Sequence, residues 1–595
     1  MVLLIEKLSQ VWDLDSIFPG GSESPELQVF LETLETDLKQ LHNHIHGNVA
    51  TVKEVTTWIL EVQELAKRIR QAGAFLGCLN AQNVADVKAK QLLGTINQTA
   101  TILEAILTNI DDQLLKMSEE NWQTFIKQDV FTEVTYPLVE RRVRAKEKLS
   151  PREETLIQKL SVDGYHAWGQ LYDTIVGRMK ISIEEDGKTE ELSIGQADNK
   201  MSSGDRQLRE QVSKKWEAAW ANEAELCADA LNHLAGYRLQ VYGERGWDQV
   251  LREPLDINRM SQETLDVMWN TISENKPKFV EFLQRKAEIL GIEKLSWHDV
   301  FAPLSKDVPQ VSYDEAAEII INQFQQLTPE MAEFTKEAFA KNWIEAESRA
   351  GKRPGGFCTS FPLSNESRIF MTYAGTASNV STLAHELGHA FHQHVMNDLP
   401  YLAQRYAMNV AETASTFAEM VVADATVKNA TTKEEHLTLL EDKVSRSIAF
   451  FMNIHARFLF ETRFYEERKQ GLVSVARLNE LMEQAQKDAF DDSLGEYHPH
   501  FWASKLHFYI TGVPFYNFPY TFGYLFSMGI YALAQKEGDA FEKKYINLLR
   551  DTGRMPVEEL AMKHLNVDLT KPDFWQGAID LAAADVDEFL NLTQK

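Results

Sequence analysis

The chain has 595 residues and a formal net charge of −27, and 44% of its residues are hydrophobic. A chain of this length is expected to form two or more lobes or one long helical body. The strong negative charge argues against nucleic acids and anionic membrane surfaces as partners. Three widely spaced cysteines and the absence of an apolar run near about eighteen residues indicate a cytoplasmic protein without disulfides or a transmembrane helix.

Apolar residues recur at helical spacing through most of the N-terminal part. The helices predicted there span residues 25–46, 52–72 and about 81–116, and another begins after Ser150. Alternating residues at 179–183 and 191–194, with a turn at Asp186-Gly187, then predict a β-hairpin. We therefore expect an N-terminal helical domain over residues 1–180 and a second, larger domain over residues 181–595.

Helical periodicity returns after the hairpin and continues to the C-terminal region. These predicted helices span residues 205–243, 261–290, 312–328, 329–349, 403–425, 433–470, 475–490, 518–536 and 571–590. Two short strands, within 352–361 and 368–373, interrupt the series and lead into a helix at 376–396 capped by Thr376 or Ser378. The fold class is therefore mainly α, with a small β-sheet beside this last helix.

The helix at 376–396 carries a His-Glu-x-x-His motif at His385, Glu386 and His389. Residues four apart lie on one face of a helix, so both imidazoles can reach one metal ion. A zinc ion in such a site polarises a scissile carbonyl and lowers the pKa of its bound water, and a neighbouring Glu can take the proton of that water. The motif should arise by chance in roughly four of every hundred similar chains, so its context matters.

A third ligand is predicted on the helix that follows the motif. Glu412 and Glu419 are seven residues apart and project from one face, in a segment otherwise rich in Val, Ala and Phe. Catalytic zinc sites use three protein ligands and leave one position open. We interpret Glu412 as the third ligand and Glu419 as a support for one of the histidines.

These motifs resemble the thimet oligopeptidase and oligoendopeptidase F family of zinc metallopeptidases. The resemblance rests on residues 385–392 and on Val410-Ala411-Glu412, and its oligoendopeptidase branch is also similar at 352–357, 368–375 and 513–524. It covers residues 200–580 strongly, while the first 180 residues match only as a helical region. It implies a two-lobed helical clam with a deep central channel that holds one Zn²⁺ per chain and cleaves internal bonds of short peptides.

The same resemblance implies roles for further residues. His385, His389 and Glu412 would bind zinc, and Glu386 would be the general base that activates the zinc-bound water. The candidates for contacting substrate and stabilising the oxyanion are His507, Tyr516, Tyr520 and Tyr524, of which Tyr524 aligns best. The candidates for substrate binding are Gly355, Gly356 and Tyr373, and the strand ending near Tyr373 is expected to be an edge that pairs with the peptide backbone.

Other residues with suitable chemistry receive structural interpretations. His392 is expected to pack or orient, and His394 to lie at the surface. The Tyr497–Trp502 cluster, with its two histidines, is expected to pack rather than bind metal. Cys358 lacks a partner histidine and is interpreted as a small buried residue.

Two alternatives to an endopeptidase stay open. A zinc carboxypeptidase of similar shape would need a basic residue for the terminal carboxylate, for which Arg353 and Arg368 are the candidates. A non-catalytic peptide-binding protein would use the channel without turnover. The sequence leaves the cleavage preference, the physiological substrate and the oligomeric state undetermined.

Overall fold

The structure is a computed structural model that describes residues 7–45, 49–185, 187–304 and 310–594. The chain forms two compact units, each assembled from three segments. The first unit comprises Met1–Lys148, Pro309–Ala425 and Leu533–Asn566, and the second comprises Leu149–Val308, Thr426–Ala532 and Val567–Lys595. The units are thus discontinuous in sequence, and their first boundary differs from the predicted one at residue 180.

Helices dominate both units. The helices of the described residues are, in chain order, α1 Pro25–His44, α2 Val52–Gln82, α3 Val87–Lys116, α4 Glu119–Ile126, α5 Thr135–Glu147, α6 Pro151–Ser161, α7 Ala167–Arg178, α8 Ile194–Met201, α9 Arg206–Glu244, α10 Arg252–Ile257, α11 Gln262–Leu290, α12 Tyr313–Leu327, α13 Pro329–Ala340, α14 Ala377–His394, α15 Met408–Ala411, α16 Thr413–Lys428, α17 Lys433–Ile448, α18 Ile454–Arg468, α19 Val475–Ala489, α20 Phe501–Ser504, α21 Phe518–Glu537, α22 Phe541–Asp551, α23 Val557–Leu565 and α24 Pro572–Leu592. The strands are β1 Ile181–Glu185, β2 Lys188–Leu192, β3 Ile344–Glu345, β4 Phe357–Phe361 and β5 Glu366–Phe370.

The mainly helical fold class is confirmed, and so is the predicted β-hairpin, which β1 and β2 form as an antiparallel pair. Asp186, predicted at its turn, lies outside the described residues. The predicted helix at 329–349 ends instead at Ala340, because the chain continues into β3. The predicted helix at 403–425 is also divided, since α15 ends at Ala411 and α16 begins at Thr413.

The first unit contains a helical core and a three-stranded sheet. Helix α2 packs against α1 and α3, and Leu34, Phe75 and Ile106 are fully buried there. The strand order is β3-β5-β4, with β3 parallel and β4 antiparallel to the central strand β5. Helix α14 packs against β4 and β5, so the sheet lies beside the motif helix as predicted.

The second unit is built around α9, α11, α18 and α24. Helix α11 packs against α24, and α18 packs against α19. Trp220, Phe282 and Trp575 are fully buried in this unit. Across the described part of the chain, we find no helix long and apolar enough to cross a membrane.

Candidate functional site

The motif histidines lie one turn apart on α14. Thr376 caps this helix by accepting the N–H of Asn379 at 3.2 Å, which selects one of the two predicted caps. The ring centroids of His385 and His389 are 4.8 Å apart, so the two side chains leave the helix on the same face. This face lines a cavity of about 380 Å³ in the first unit.

Glu412 lies at the break between α15 and α16, where the helical backbone is interrupted. Its Oε2 is 3.2 Å from Nε2 of His385 and 3.4 Å from Nε2 of His389. Burial opposes ionisation of this carboxyl, but the two histidines beside it hold the pKa of Glu412 well below its usual range. Ser415 donates from Oγ to the same oxygen at 2.8 Å, which fixes its orientation.

The donor set fits a catalytic zinc site. His385, His389 and Glu412 each offer one ligand atom, and these atoms lie within 4.8 Å of one another. Ligand atoms about 2.1 Å from a tetrahedral ion are separated by about 3.4 Å, close to the two distances between the carboxylate and the imidazoles. Two imidazoles and one carboxylate also match a known ligand set of zinc peptidases.

Gly388 allows the two ligand-bearing segments to approach closely. A Cβ atom at this position would lie 2.5 Å from the carbonyl oxygen of Ala414 and 2.5 Å from the Cα of Ser415. Both contacts are with backbone, which cannot move aside as a flexible side chain can. The glycine inside the motif therefore lets α14 contact the start of α16, next to Glu412.

Two further carboxylates, of Glu386 and Glu419, belong to the same site. Glu419 Oε2 lies 3.2 Å from Nδ1 of His385 and can accept a hydrogen bond from it, while Nε2 of that ring is directed at Glu412. Glu386 is 7% exposed, and burial raises its pKa. No described residue forms a hydrogen bond with Oε2 of Glu386. Gly356 lies against the same side chain, since a Cβ there would be 3.3 Å from Oε1.

The family follows from comparison with known proteins. A model described as peptidase family M3 matches residues 200–581. The chain belongs to peptidase family M3. A model described as oligopeptidase F matches residues 113–181. The chain is therefore a peptidase, and the predicted relationship to oligoendopeptidase F is confirmed.

Relatives of this M3 peptidase match it over nearly their whole length. It is 22% identical to oligopeptidase PepF of Bacillus subtilis (strain 168), over 99% of this chain and 88% of the relative. It is 23% identical to group B oligopeptidase PepB of Streptococcus agalactiae, over 98% of this chain and 97% of the relative. Oligoendopeptidase-F from Enterococcus faecium shares its fold, with a TM-score of 0.71, 16% identity and coverage of 95% and 98%.

The prediction that the strand ending near Tyr373 is an edge strand is wrong. Strand β5, which ends shortly before Tyr373, is the central strand of its sheet and has neighbours on both sides. An edge is formed instead by β4, which begins immediately after Gly356 and supplies Phe357, Cys358 and Ser360 to the cavity. Sequence spacing could not decide this, because strand order depends on β3, which the sequence did not reveal.

Two of the predicted substrate-binding residues lie outside the cavity lining. Tyr373 is buried, its hydroxyl donates to the carbonyl of Val311 at 2.9 Å, and its N–H donates to Ala346. Gly355 is exposed and has a φ of +91°, which suits a turn before β4. Of the three predicted residues, only Gly356 lines the cavity.

The cavity also contains residues that sequence analysis missed. Arg70 reaches it from α2 and donates to Thr359 Oγ1 at 3.2 Å. Gln393 and Tyr406 line it as well. Nothing local marks Arg70 as a site residue, because its position depends on the packing of α2 against β4.

The aromatic candidates lie in the second unit. The ring of His507 is 5.5 Å from that of Tyr516 and 6.2 Å from that of Tyr520, and the two tyrosines are 5.3 Å apart. Burial, reinforced by the charges of Arg457 and Lys505, lowers the pKa of His507 to about 4, so its ring is neutral at pH 7. We call His507, Tyr516 and Tyr520 the aromatic triad.

Tyr524 does not belong to this triad. Its ring stacks on Phe450 at 4.3 Å, and its hydroxyl forms a 2.9 Å hydrogen bond with Ser447. Tyr524 is 4% exposed and its pKa is raised by burial. The best-aligned tyrosine is therefore a packed core residue, and its hydroxyl is engaged within the unit.

The remaining histidines mostly have the packing roles expected of them. His392 is fully buried, stacks on Tyr406 at 4.3 Å and is hydrogen-bonded to Thr552 Oγ1 at 2.9 Å. His394, predicted at the surface, is instead half-buried with its ring 4.7 Å from that of Phe334.

The histidines of the Tyr497–Trp502 cluster have a packing role too. The Nδ1 atoms of His498 and His500 both contact the carboxylate of Glu217 on α9. Cys358, predicted as buried, is only partly so and lines the cavity near Glu386.

Proposed function

We propose that this M3 peptidase is a zinc-dependent endopeptidase that hydrolyses internal bonds of short oligopeptides. The observation that supports it is the convergence of His385, His389 and Glu412, with Glu386 in the same cavity. These three residues would hold one Zn²⁺ per chain. Zinc bound there would supply Lewis acidity to a peptide carbonyl and acidify a water molecule.

Glu386 has the chemistry of a general base. Glu386 lines the cavity, and its Oε2 has no hydrogen-bond partner among the described residues, so the carboxylate can accept a proton from the attacking water. Burial raises its pKa, which makes the carboxylate a better proton acceptor. The same oxygen then delivers the proton to the leaving amine nitrogen.

Further residues have proposed roles in orienting the metal ligands and in stabilising the oxyanion. Glu419 holds the proton on Nδ1 of His385, so that Nε2 presents its lone pair to the metal position. Within the aromatic triad, the phenol hydroxyls of Tyr516 and Tyr520 are suited to donate to a developing oxyanion. Tyr524 is not assigned this role, because its hydroxyl is hydrogen-bonded to Ser447.

The test combines metal analysis with cleavage of a ten-residue peptide followed by mass spectrometry. Purified protein should contain one zinc per chain, lose activity with a chelator and regain it with zinc. Glu386→Gln should keep the metal and lower the cleavage rate by about 10²–10⁴-fold. Glu337 is a partly exposed residue of the same unit that pairs with Lys341, and Glu337→Gln should behave as wild type. Full activity of Glu386→Gln would refute the mechanism.

A carboxypeptidase is the second candidate, because Arg70 places a cation in the cavity. The two arginines predicted from the sequence to bind a terminal carboxylate have other contacts. Arg368 is fully buried and donates to the carbonyl of Asp13, while Arg353 lies over the ring of Phe357. Internal fragments in the peptide digest support the endopeptidase, whereas removal of single C-terminal residues supports the carboxypeptidase.

A zinc-loaded protein that binds peptides and leaves them uncut would indicate a non-catalytic role.

The substrate and location assignments rest on composition and family. The negative charge predicts no nucleic-acid or membrane partner, and the cysteine pattern predicts a cytoplasmic location. Fractionation of cells that produce the tagged protein tests the location.

A further inference from the structure

The second unit contains a cavity of its own, of about 440 Å³. That volume is within the usual range of small-molecule sites. Aromatic side chains form much of its wall, contributed by Trp216, Trp297, Phe301 and Phe501. The wall therefore suits a ligand with a large apolar group.

Two cations also line this cavity. Arg457 on α18 and Lys505 after α20 each lie 5.5 Å from the centre of the Phe501 ring. Arg457 donates from Nε and Nη2 to a single neutral oxygen, Oδ1 of Asn453, at 2.9 and 2.6 Å. No described residue accepts a hydrogen bond from Nζ of Lys505. Both side chains thus retain donors that an anion could use.

The acidic groups of the wall do not satisfy these cations. Burial and the charge of Arg457 lower the pKa of Lys505 to about 8, although the carboxylate of Asp198 favours the charged form of this lysine. Glu217, the other carboxylate of the wall, is bound by His498 and His500. Partly buried cations without such compensation favour the binding of an anion.

Lys505 of the cavity wall lies two residues before His507 of the aromatic triad. Burial lowers the pKa of His507 and the charges of Arg457 and Lys505 lower it further, while Tyr520 raises the pKa of Arg457. His507 in turn lies next to Tyr516. A ligand held by the two cations would therefore lie close to residues proposed to contact substrate.

We propose that this cavity binds the C-terminal carboxylate of a peptide whose last residue has a large apolar side chain. Arg457 and Lys505 hold the carboxylate, and Trp216, Trp297 and Phe501 contact the side chain. The inference rests on the proposed function, since it identifies how the peptidase recognises the end of its substrate.

The direct test measures binding of N-acetylphenylalanine and N-acetylphenylalaninamide to the full-length protein by calorimetry. The acid should bind about tenfold more tightly than the amide, as expected for one charge-assisted hydrogen bond. Lys505→Gln and Arg457→Gln should each abolish the preference. Lys214→Gln removes a largely exposed lysine of the same unit and should keep it.

Equal affinity of wild type for the acid and the amide would overturn the proposal. So would an acid preference that survives Lys505→Gln, since the probe would then be bound elsewhere, for example near Arg70. Lys505 is only partly buried, so its variant remains informative if Arg457→Gln fails to fold.

A cleavage assay separates this inference from the proposed function. Wild type should show a lower KM for a free-acid peptide than for its C-terminal amide, and Lys505→Gln should remove that difference. Cleavage without any difference in wild type would refute the anchor alone. Absence of cleavage, with the calorimetric preference intact, would refute the endopeptidase alone.

Discussion

The cavities of the two units differ in chemistry and in the way the chain builds them. The first is polar and carries the carboxylates of Glu386 and Glu412 beside two imidazoles, all from α14 and the break before α16. The second has aromatic walls and the cations Arg457 and Lys505, and its wall comes from widely separated helices. A site assembled from neighbouring turns can be predicted from spacing, whereas one assembled from distant segments cannot.

The largest expected effect is a loss of kcat in tyrosine variants of the second unit. Tyr516→Phe or Tyr520→Phe should lower kcat by about 10²–10³-fold, because each removes a donor proposed for the oxyanion. Tyr524→Phe should leave kcat unchanged and lower the free energy of unfolding by about 1 kcal/mol, since it loses only the Ser447 hydrogen bond. Steady-state kinetics and chemical denaturation measure both. A large kcat loss in Tyr524→Phe alone would reverse the assignment.

The next effect concerns the support of His385 in the first unit. Glu419→Gln should weaken zinc binding by about 10–100-fold, because the ring loses the carboxylate that fixes its tautomer. Competition with a calibrated chelator measures the affinity. Glu333 is exposed and pairs with Lys336, so Glu333→Gln is the control. Unchanged affinity in Glu419→Gln would show that helix packing alone orients the ring.

Gly388→Ala tests the backbone contact beside the candidate metal site. The added Cβ would collide with the backbone of Ala414 and Ser415, so the free energy of unfolding should fall by about 1–3 kcal/mol. Gly77→Ala on α2, whose Cβ would meet nothing within 4 Å, should instead be stabilising by about 0.5–1 kcal/mol. Denaturant titrations compare the two, and equal stability would mean that α14 and α16 can separate without cost.

The smallest effect is expected at Arg70. Arg70→Gln should lower kcat/KM about two- to fivefold for peptides with an acidic residue near the cleaved bond, as for an exposed ion pair. Peptides with Gln in place of the acidic residue should be unaffected. Arg68→Gln on the same helix, whose partner is Asp37, is the control. An equal loss for acidic and neutral peptides would indicate a structural role instead.

The sequence by itself determined the helical class, the motif helix and the residues that converge at the candidate metal site. These features depend on local periodicity, because residues four or seven apart share a helix face wherever that helix lies. Glu412 was found in the same way, although its helix is interrupted at that residue. The acidic composition and the three distant cysteines also limited the function classes before any contact was known.

Only the tertiary structure decided which strand is an edge, which tyrosine is buried and which cations reach a cavity. Strand β5 is central because the short β3 pairs with it, and Tyr524 is buried because Phe450 and Ser447 cover it. Arg70 and Lys505 acquire their positions from packing between segments far apart in the chain. The spacing of residues along one helix carries no information about such contacts, since they depend on the arrangement of all neighbouring elements.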